Sequence, residues 1–117
     1  MLSENHVYTS GAGGTNAAAI KGALRAERPD LLTVILPQSI EKQPRESQEL
    51  IRNVTDLITM PQNDHMSLDV ASQLCNSMLL RETDQLIAFA FHESQTVIEA
   101  TKEAKKLEKL VTLLFLD

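Results

Sequence analysis

The sequence predicts an α/β protein: a parallel sheet of about five strands with helices on both faces, arranged as a three-layer sandwich. Two observations predict this fold. Short, β-branched apolar runs alternate with longer amphipathic segments, which is typical of a parallel sheet covered on both faces. A glycine-rich turn also separates the first apolar run from the first helical run, as in the strand–turn–helix units of α/β proteins. The 117 residues fit a single domain spanning 1–117.

The order of the elements follows from these runs and from local end signals. Strands are predicted at residues 6–10, 31–37, 56–60, 85–91 and 110–116. Helices are predicted at residues 15–26, 44–53, 67–82 and 96–109. Thr15 or Asn16 suits the cap of the first helix, Pro44 suits a first-turn position, and Ser67 suits the start of the third helix. Each amphipathic segment is thus predicted to join two strands.

Composition and charge restrict the class of protein. The chain is 43% hydrophobic and 23% charged, as in an ordinary globular protein, and it has a formal net charge of −5. That charge argues against a strong nonspecific hold on a nucleic-acid backbone, although a local basic patch stays possible. With no Trp, one Tyr and three Phe, the chain has few candidates for a base-stacking platform.

The single cysteine, Cys75, excludes an intrachain disulfide and fits a reducing compartment. We expect it to pack in a helix as a small hydrophobic residue rather than act as a nucleophile. No apolar run is long enough to span a membrane, and residues 1–5 lack the features of a secretory signal. The sequence predicts a soluble cytoplasmic protein, and no cofactor is expected. No metal site is expected either, since no zinc-type ligand spacing occurs.

The glycine-rich turn is the most informative candidate site. Glycines let a backbone turn tightly and approach an anion, while the free N–H groups and the positive dipole end of the following helix face it. The spacing is neither G-x-G-x-x-G nor the Walker pattern, which disfavours a P-loop NTPase. The turn is interpreted either as an anion site or as a plain tight connection. The residues concerned are Ser10, Gly11, Gly13, Gly14, Thr15 and Asn16.

Ligands of open α/β sheets bind outside the carboxyl ends of the strands. Four predicted loops gather at that edge, at residues 11–16, 38–43, 61–66 and 92–96. The last loop is a second hydroxyl-rich helix start. Ser94 and Thr96 there are expected either to contact a phosphate or to cap the helix in the ordinary way.

The run from Thr9 to Ala19, with Gly22-Ala23-Leu24 after it, resembles the S-G-x-A-x-G-I-D-x-x-A-H-x-x-A-L signature of the DprA (DNA-processing protein A) family. These are DNA recombination-mediator proteins with a Rossmann-like core, related to the LOG proteins. Residues 32–37 stand where the family has its next strand. Residues 75–80 are similar to its R-N-R-I-I-A segment, and residues 93–96 to its S-G-[ST] turn.

The resemblance implies a non-catalytic protein that binds single-stranded DNA or a nucleotide phosphate and helps to load a recombinase. It adds Asn76, Ser94, Gln95 and Thr96 to the candidate binding residues. The chain departs from the family at three places: Thr15 and Asn16 stand where the family has Ile and Asp, Cys75 where it has Arg, and Gln95 where it has Gly. A thiol cannot replace the bidentate contact of an Arg with a phosphate.

The family core begins with a further strand and loop, so the chain resembles an N-terminally truncated Rossmann-like domain. The strand edge beside Val7 is then expected to be unpaired, which predicts a homo-oligomer or a short product of a longer gene. The nearest resemblance is to short forms from photosynthetic lineages, which makes the plastid stroma the alternative to the cytoplasm.

Two alternatives to DNA binding stay open. The first is a LOG-type nucleoside-monophosphate phosphoribohydrolase, whose P-G-G-x-G-T-x-x-E motif Gly13-Gly14-Thr15 partly matches. Alanines 17–19 occupy the region of its catalytic acid, and no carboxylate follows before Glu27, which disfavours this enzyme. The second is a nucleotide-sensing module that keeps the phosphate site without catalysis.

Overall fold

The computed structural model describes residues 6–10, 15–25, 29–90 and 93–116. The strands are β1 (Val7–Thr9), β2 (Leu32–Ile35), β3 (Asp56–Ile58), β4 (Gln85–Ala90) and β5 (Leu110–Phe115). The helices are α1 (Thr15–Arg25), α2 (Arg45–Ile51), α3 (Leu68–Arg81) and α4 (Gln95–Lys106). Short 3-10 segments cover Pro29–Leu31, Ile40–Lys42 and Pro61–Asn63. Every predicted strand and helix is therefore present, with ends that differ by no more than three residues.

The strands form two parallel sheets, so the prediction of one five-stranded sheet is wrong. The first sheet has the order β1-β2-β3, and the second consists of β4 and β5. Among the described residues, β1 pairs with β2 alone, from Val7 opposite Leu32 to Thr9 opposite Val34. Hydrophobic periodicity identifies a strand but not its neighbour, because pairing depends on where the helices place the strands.

β2 is the centre of the first sheet, and its side chains alternate between two buried faces. Leu32, Val34 and Leu36 form one core with α1 and α2, and this core includes Ile20 of α1 and Ile51 of α2. All of these side chains are almost completely buried. Since burying one such side chain contributes about 1.5–3 kcal/mol, this face anchors both helices on the sheet.

The opposite face of β2 packs against α3. Ile35 forms a second core with Met60 and Cys75, against which Tyr8 and Met78 also pack. The Cys75 thiol donates a hydrogen bond to the carbonyl oxygen of Ile35 at 3.2 Å. The first sheet thus has helices on both faces, and the prediction that Cys75 packs as a small hydrophobic residue is confirmed.

α4 packs on one face of the second sheet, and it also contacts α3. The buried residues are small here: Ala88 and Ala90 on β4, and Ala100 and Ala104 on α4. Small side chains let a helix approach a sheet closely. α4 ends where Glu108 adopts a positive φ of 59°, which allows Lys109 N–H to donate to the carbonyl of Ala104.

The helix starts show which local signals were right. Ser67 caps α3, since its hydroxyl accepts a hydrogen bond from the N–H of Val70, as predicted. Pro44 is the N-cap residue of α2 and therefore lies one position before the predicted first turn. Asn16 lies inside the first turn of α1 and not at its cap. Within the described part of the chain, no helix combines the length and apolar character needed to cross a bilayer.

Burial makes the Cys75 thiol unreactive. It raises the pKa of Cys75 to about 12, so the thiolate is scarce at neutral pH. We expect the folded protein to resist a disulfide-exchange reagent at pH 8 and to react with one equivalent in denaturant. A Gln73→Cys variant, with a thiol on the exposed side of α3, is the positive control and should react at once. Rapid labelling of the unaltered folded chain would contradict this packing.

Candidate functional site

The predicted anion site lies where β1 meets α1, and a side-chain hydrogen bond joins the two elements. Thr9, the last residue of β1, is buried and donates from its Oγ1 to Oδ1 of Asn16 at 2.6 Å. Asn16 is half-buried in the first turn of α1. The contact holds the start of the helix against the end of the strand, and so fixes both ends of the segment between them.

The residues of this junction divide into two sets. Ser10, Thr15 and Asn16 are described, and Thr15 is the first residue of α1. Gly11, Gly13 and Gly14 lie outside the described residues. The first turn of α1 contains no acidic side chain. Because the first N–H groups of a helix have no partner within it, this end of α1 offers donors and a positive dipole without a local carboxylate to oppose an anion.

The second group of predicted residues lies in a groove between α3 and α4. The groove has a volume of about 550 Å³, and Asn76 of α3 and Thr96 of α4 both line it. Ser94 is the N-cap residue of α4 and Gln95 its first residue, and neither lines the groove. Asn76 and Thr96 therefore line the same groove. Ser10 and Asn16 are not among the residues that line it.

Charged side chains of α4 complete this groove. Lys102, Lys105 and Lys106 line it together with Glu99 and Glu103. Ser77 on α3 donates a hydrogen bond to Oε2 of Glu103 at 2.9 Å, which joins the two helices across the groove. The helical spacing of these charges is visible in the sequence, but the helix that lies opposite them is not.

Two loops at the carboxyl edge of the first sheet are joined by Asp64. Its Oδ1 accepts a hydrogen bond from the backbone N–H of Ser39 at 2.8 Å, and its Oδ2 accepts one from the Ser39 hydroxyl at 2.7 Å. The buried Gln38 donates from Nε2 to the carbonyl oxygens of Asn63 and Met66. The predicted meeting of loops 38–43 and 61–66 is thus confirmed. These polar groups bind one another, which gives them a structural role.

The amino-terminal edge of the same sheet carries a polar chain that sequence reasoning missed. The buried Thr33 on β2 donates from Oγ1 to Oδ2 of Asp56 on β3 at 2.5 Å, so it accepts from Nε2 of His6 at 2.7 Å. The three side chains link three neighbouring strands. A cavity of about 180 Å³ beside them is lined by Tyr8, Thr33, Asp56 and Glu82, among others. No sequence signal identified this cluster, because its members are far apart in the chain.

The described residues contain no group of three or more His, Cys, Asp or Glu side chains that could hold a metal ion. Comparisons of the chain with protein-family models, with curated proteins and with solved structures find no match. Fold and site therefore define a class: a parallel α/β protein in which a strand–turn–helix junction and a polar helix–helix groove are the two candidate binding regions.

Asp64 gives the protein a predictable acid sensitivity. The hydrogen bonds from the Ser39 N–H, and then from its hydroxyl, lower the pKa of Asp64 below the ordinary value of 3.8. The stabilisation is fully present above that ordinary value and is lost as the pH falls through the lowered pKa. We expect Asp64→Asn to reduce the melting temperature by a few degrees at pH 6 and to reduce the loss of stability below pH 4.

Glu49→Gln, on the exposed side of α2, is the matched control for removal of one carboxylate. Thermal denaturation followed by circular dichroism from pH 2 to pH 7 measures both variants. Identical pH profiles for Asp64→Asn and Glu49→Gln would show that the Ser39–Asp64 contact does not stabilise the fold.

Proposed function

We propose that this chain is a non-catalytic, DprA-like binding module that takes the phosphate group of a mononucleotide at the turn between β1 and α1. The observation that carries the proposal is the hydrogen bond between Thr9 and Asn16, which fixes the end of the strand and the start of the helix on either side of the glycine-rich segment. An anion seated there would face the first N–H groups of α1, whose position this contact fixes. Such preorganisation reduces the entropic cost of binding.

The topology of the first sheet supports a Rossmann-like site. β1, α1, β2, α2 and β3 form a βαβαβ unit with parallel strands in the order β1-β2-β3 and both helices on one face. This is the arrangement of a mononucleotide-binding half of the Rossmann fold, in which the first strand–helix turn holds the phosphate. In this proposal the end of β1 corresponds to that turn.

The charges of the junction favour binding over catalysis. Residues 15–25 of α1 contain no Asp or Glu, so no carboxylate on this helix can act as a general acid or base toward a ligand at its N-terminus. The LOG-type phosphoribohydrolase stays an alternative proposal and would need its acid from another element. The nucleotide-sensing module requires only the phosphate contacts.

A second proposal is single-stranded DNA binding at the α3–α4 groove, and the lysines of α4 favour it. Three Lys and two Glu side chains line the groove with the amide of Asn76 and the hydroxyl of Thr96. Lysines and neutral donors suit a phosphodiester backbone. The groove-lining residues include no aromatic side chain, so this mode would rely on backbone contacts rather than base stacking.

Nucleotide binding is tested by thermal shift with nucleoside monophosphates and with inorganic phosphate. We expect the unaltered chain to gain several degrees in melting temperature at saturating nucleotide, because the ligand binds the folded state. Gly13→Val should abolish this gain by blocking the close approach of a phosphate. Thr9→Val removes the hydroxyl that holds Asn16. This variant should raise the dissociation constant of the nucleotide about tenfold, which is a loss of about 1.4 kcal/mol of binding free energy.

Gly22→Ala is the matched control on α1. Gly22 is exposed in the helix, and an added Cβ there meets nothing within 4 Å. We expect this variant to raise the stability of the free protein by about 0.5–1 kcal/mol and to leave the nucleotide response unchanged. An equal response in Gly13→Val and in the unaltered chain would exclude the turn between β1 and α1 as the site.

The DNA proposal is tested by fluorescence anisotropy with a labelled oligonucleotide of mixed sequence, titrated at several salt concentrations. We expect the affinity for DNA to fall steeply as the salt concentration rises. The double variant Lys105→Gln/Lys106→Gln should reduce the slope of log K against log salt by about 1.4, because each of the two lost phosphate contacts contributes about 0.7. Lys42→Gln/Arg45→Gln, which lies on the other half of the fold, is the control. No binding at low salt would exclude this function, and equal loss in both double variants would exclude the groove.

A further inference from the structure

One face of the β4–β5 sheet is open and apolar. α4 covers the face that carries Ala88 and Ala90, so the alternate side chains of both strands point away from that helix. The apolar members of this open face are Ile87, Phe89, Leu110, Leu114 and Leu116. They are between 37% and 68% exposed. The pairing register places Phe89 directly opposite Leu114 and Ile87 opposite Thr112, so the residues form one continuous patch, the open β4–β5 face.

Parallel sheets are found almost only where both faces are covered. From their exposed fractions, these five residues present on the order of 500 Å² of largely apolar surface, which is at the upper end for the largest patch of a typical monomer. A patch of this size on a parallel sheet indicates an interaction surface.

We propose that the open β4–β5 face binds the same face of a second copy of this chain, in a two-fold dimer with the sheets packed face to face. Charge favours this occupant. The face carries no charged side chain at its outward strand positions, where the polar residues are the neutral Gln85 and Thr112. Two copies with a formal net charge of −5 each can therefore meet here without bringing acidic groups together.

The composition and the area of the open β4–β5 face also favour a second copy of this chain as its partner. A two-fold interface uses the same patch on both subunits, so it must be complementary to itself. A face without charged side chains at its outward strand positions is compatible with this requirement, and two sheets pack at about 10 Å through apolar faces. The five apolar residues supply more than half of the ~800 Å² that each partner buries in a standard interface, and Gln85, Thr112 and the rim can supply the rest.

Size-exclusion chromatography with light scattering tests the dimer. The unaltered chain should have about twice the monomer mass of 13.0 kDa. Ile87→Lys should weaken dimerisation at least about tenfold, because the two-fold axis brings two lysines into one apolar interface. Leu68→Lys is the matched control, since Leu68 is 60% exposed and belongs to α3 rather than to the β4–β5 sheet. This variant should dimerise like the unaltered chain.

A cysteine at the centre of the face gives a test that does not depend on destabilising it. Thr112→Cys should form an intermolecular disulfide on mild oxidation, whereas Gln73→Cys in the α3–α4 groove should not, and the buried Cys75 does not interfere. A chain that is monomeric at high micromolar concentration would overturn the proposal and would indicate that another protein or segment covers the face. Dimers that Ile87→Lys leaves intact and Thr112→Cys fails to cross-link would also overturn it. Neither result bears on nucleotide binding, which involves a different sheet.

Discussion

The burial of β2 on both faces is the constraint on which the first half of the structure depends. Leu32, Val34 and Leu36 require α1 and α2 on one side, while Ile35 requires α3 on the other. A strand that alternates between two dry faces can be satisfied only in the middle of a sheet. β1 and β3 are therefore held beside it, and the start of α1 is brought to the end of β1.

The polar side chains at the edges of this sheet are satisfied by one another. Thr9 binds Asn16, Ser39 binds Asp64, and Thr33 links His6 to Asp56. Among the described residues, no buried side-chain nitrogen or oxygen lacks a hydrogen-bond partner. Since an unsatisfied buried group costs about 1–3 kcal/mol, these contacts stabilise the edges and restrict the positions of the loops. Asn16 thus has a structural role before any role in binding.

The two halves of the molecule offer different kinds of surface. The first sheet ends in a strand–turn–helix junction that suits a small anion. The second half carries the polar α3–α4 groove and, on the far side of β4 and β5, an apolar face. Ser77 and Glu103 join α3, which packs on the first sheet, to α4, which packs on the second. The helix pair is thus the physical link between the two sheets.

Several features of this protein follow from the sequence alone. Residues 31–37 are apolar except for Thr33, as expected of a strand that is buried on both faces. Ser67 begins a helix because its hydroxyl accepts a backbone N–H. Cys75 is buried because its position in α3 falls on the apolar face of that helix. These are local properties, so they can be predicted from hydrophobic periodicity and from the chemistry of helix caps.

Pairing and long-range contacts were decided only by the tertiary structure. Periodicity could not show that β4 pairs with β5 alone among the described residues, since strand neighbours are chosen by helix packing. It also could not show that the lysines of α4 line a groove together with Asn76 of α3. Nor could it show that Thr33 joins His6 to Asp56, because these partners are 27 and 23 residues from Thr33 in the chain. The candidate junction was therefore predictable from its local pattern, whereas the groove and the open β4–β5 face exist only once the elements are packed.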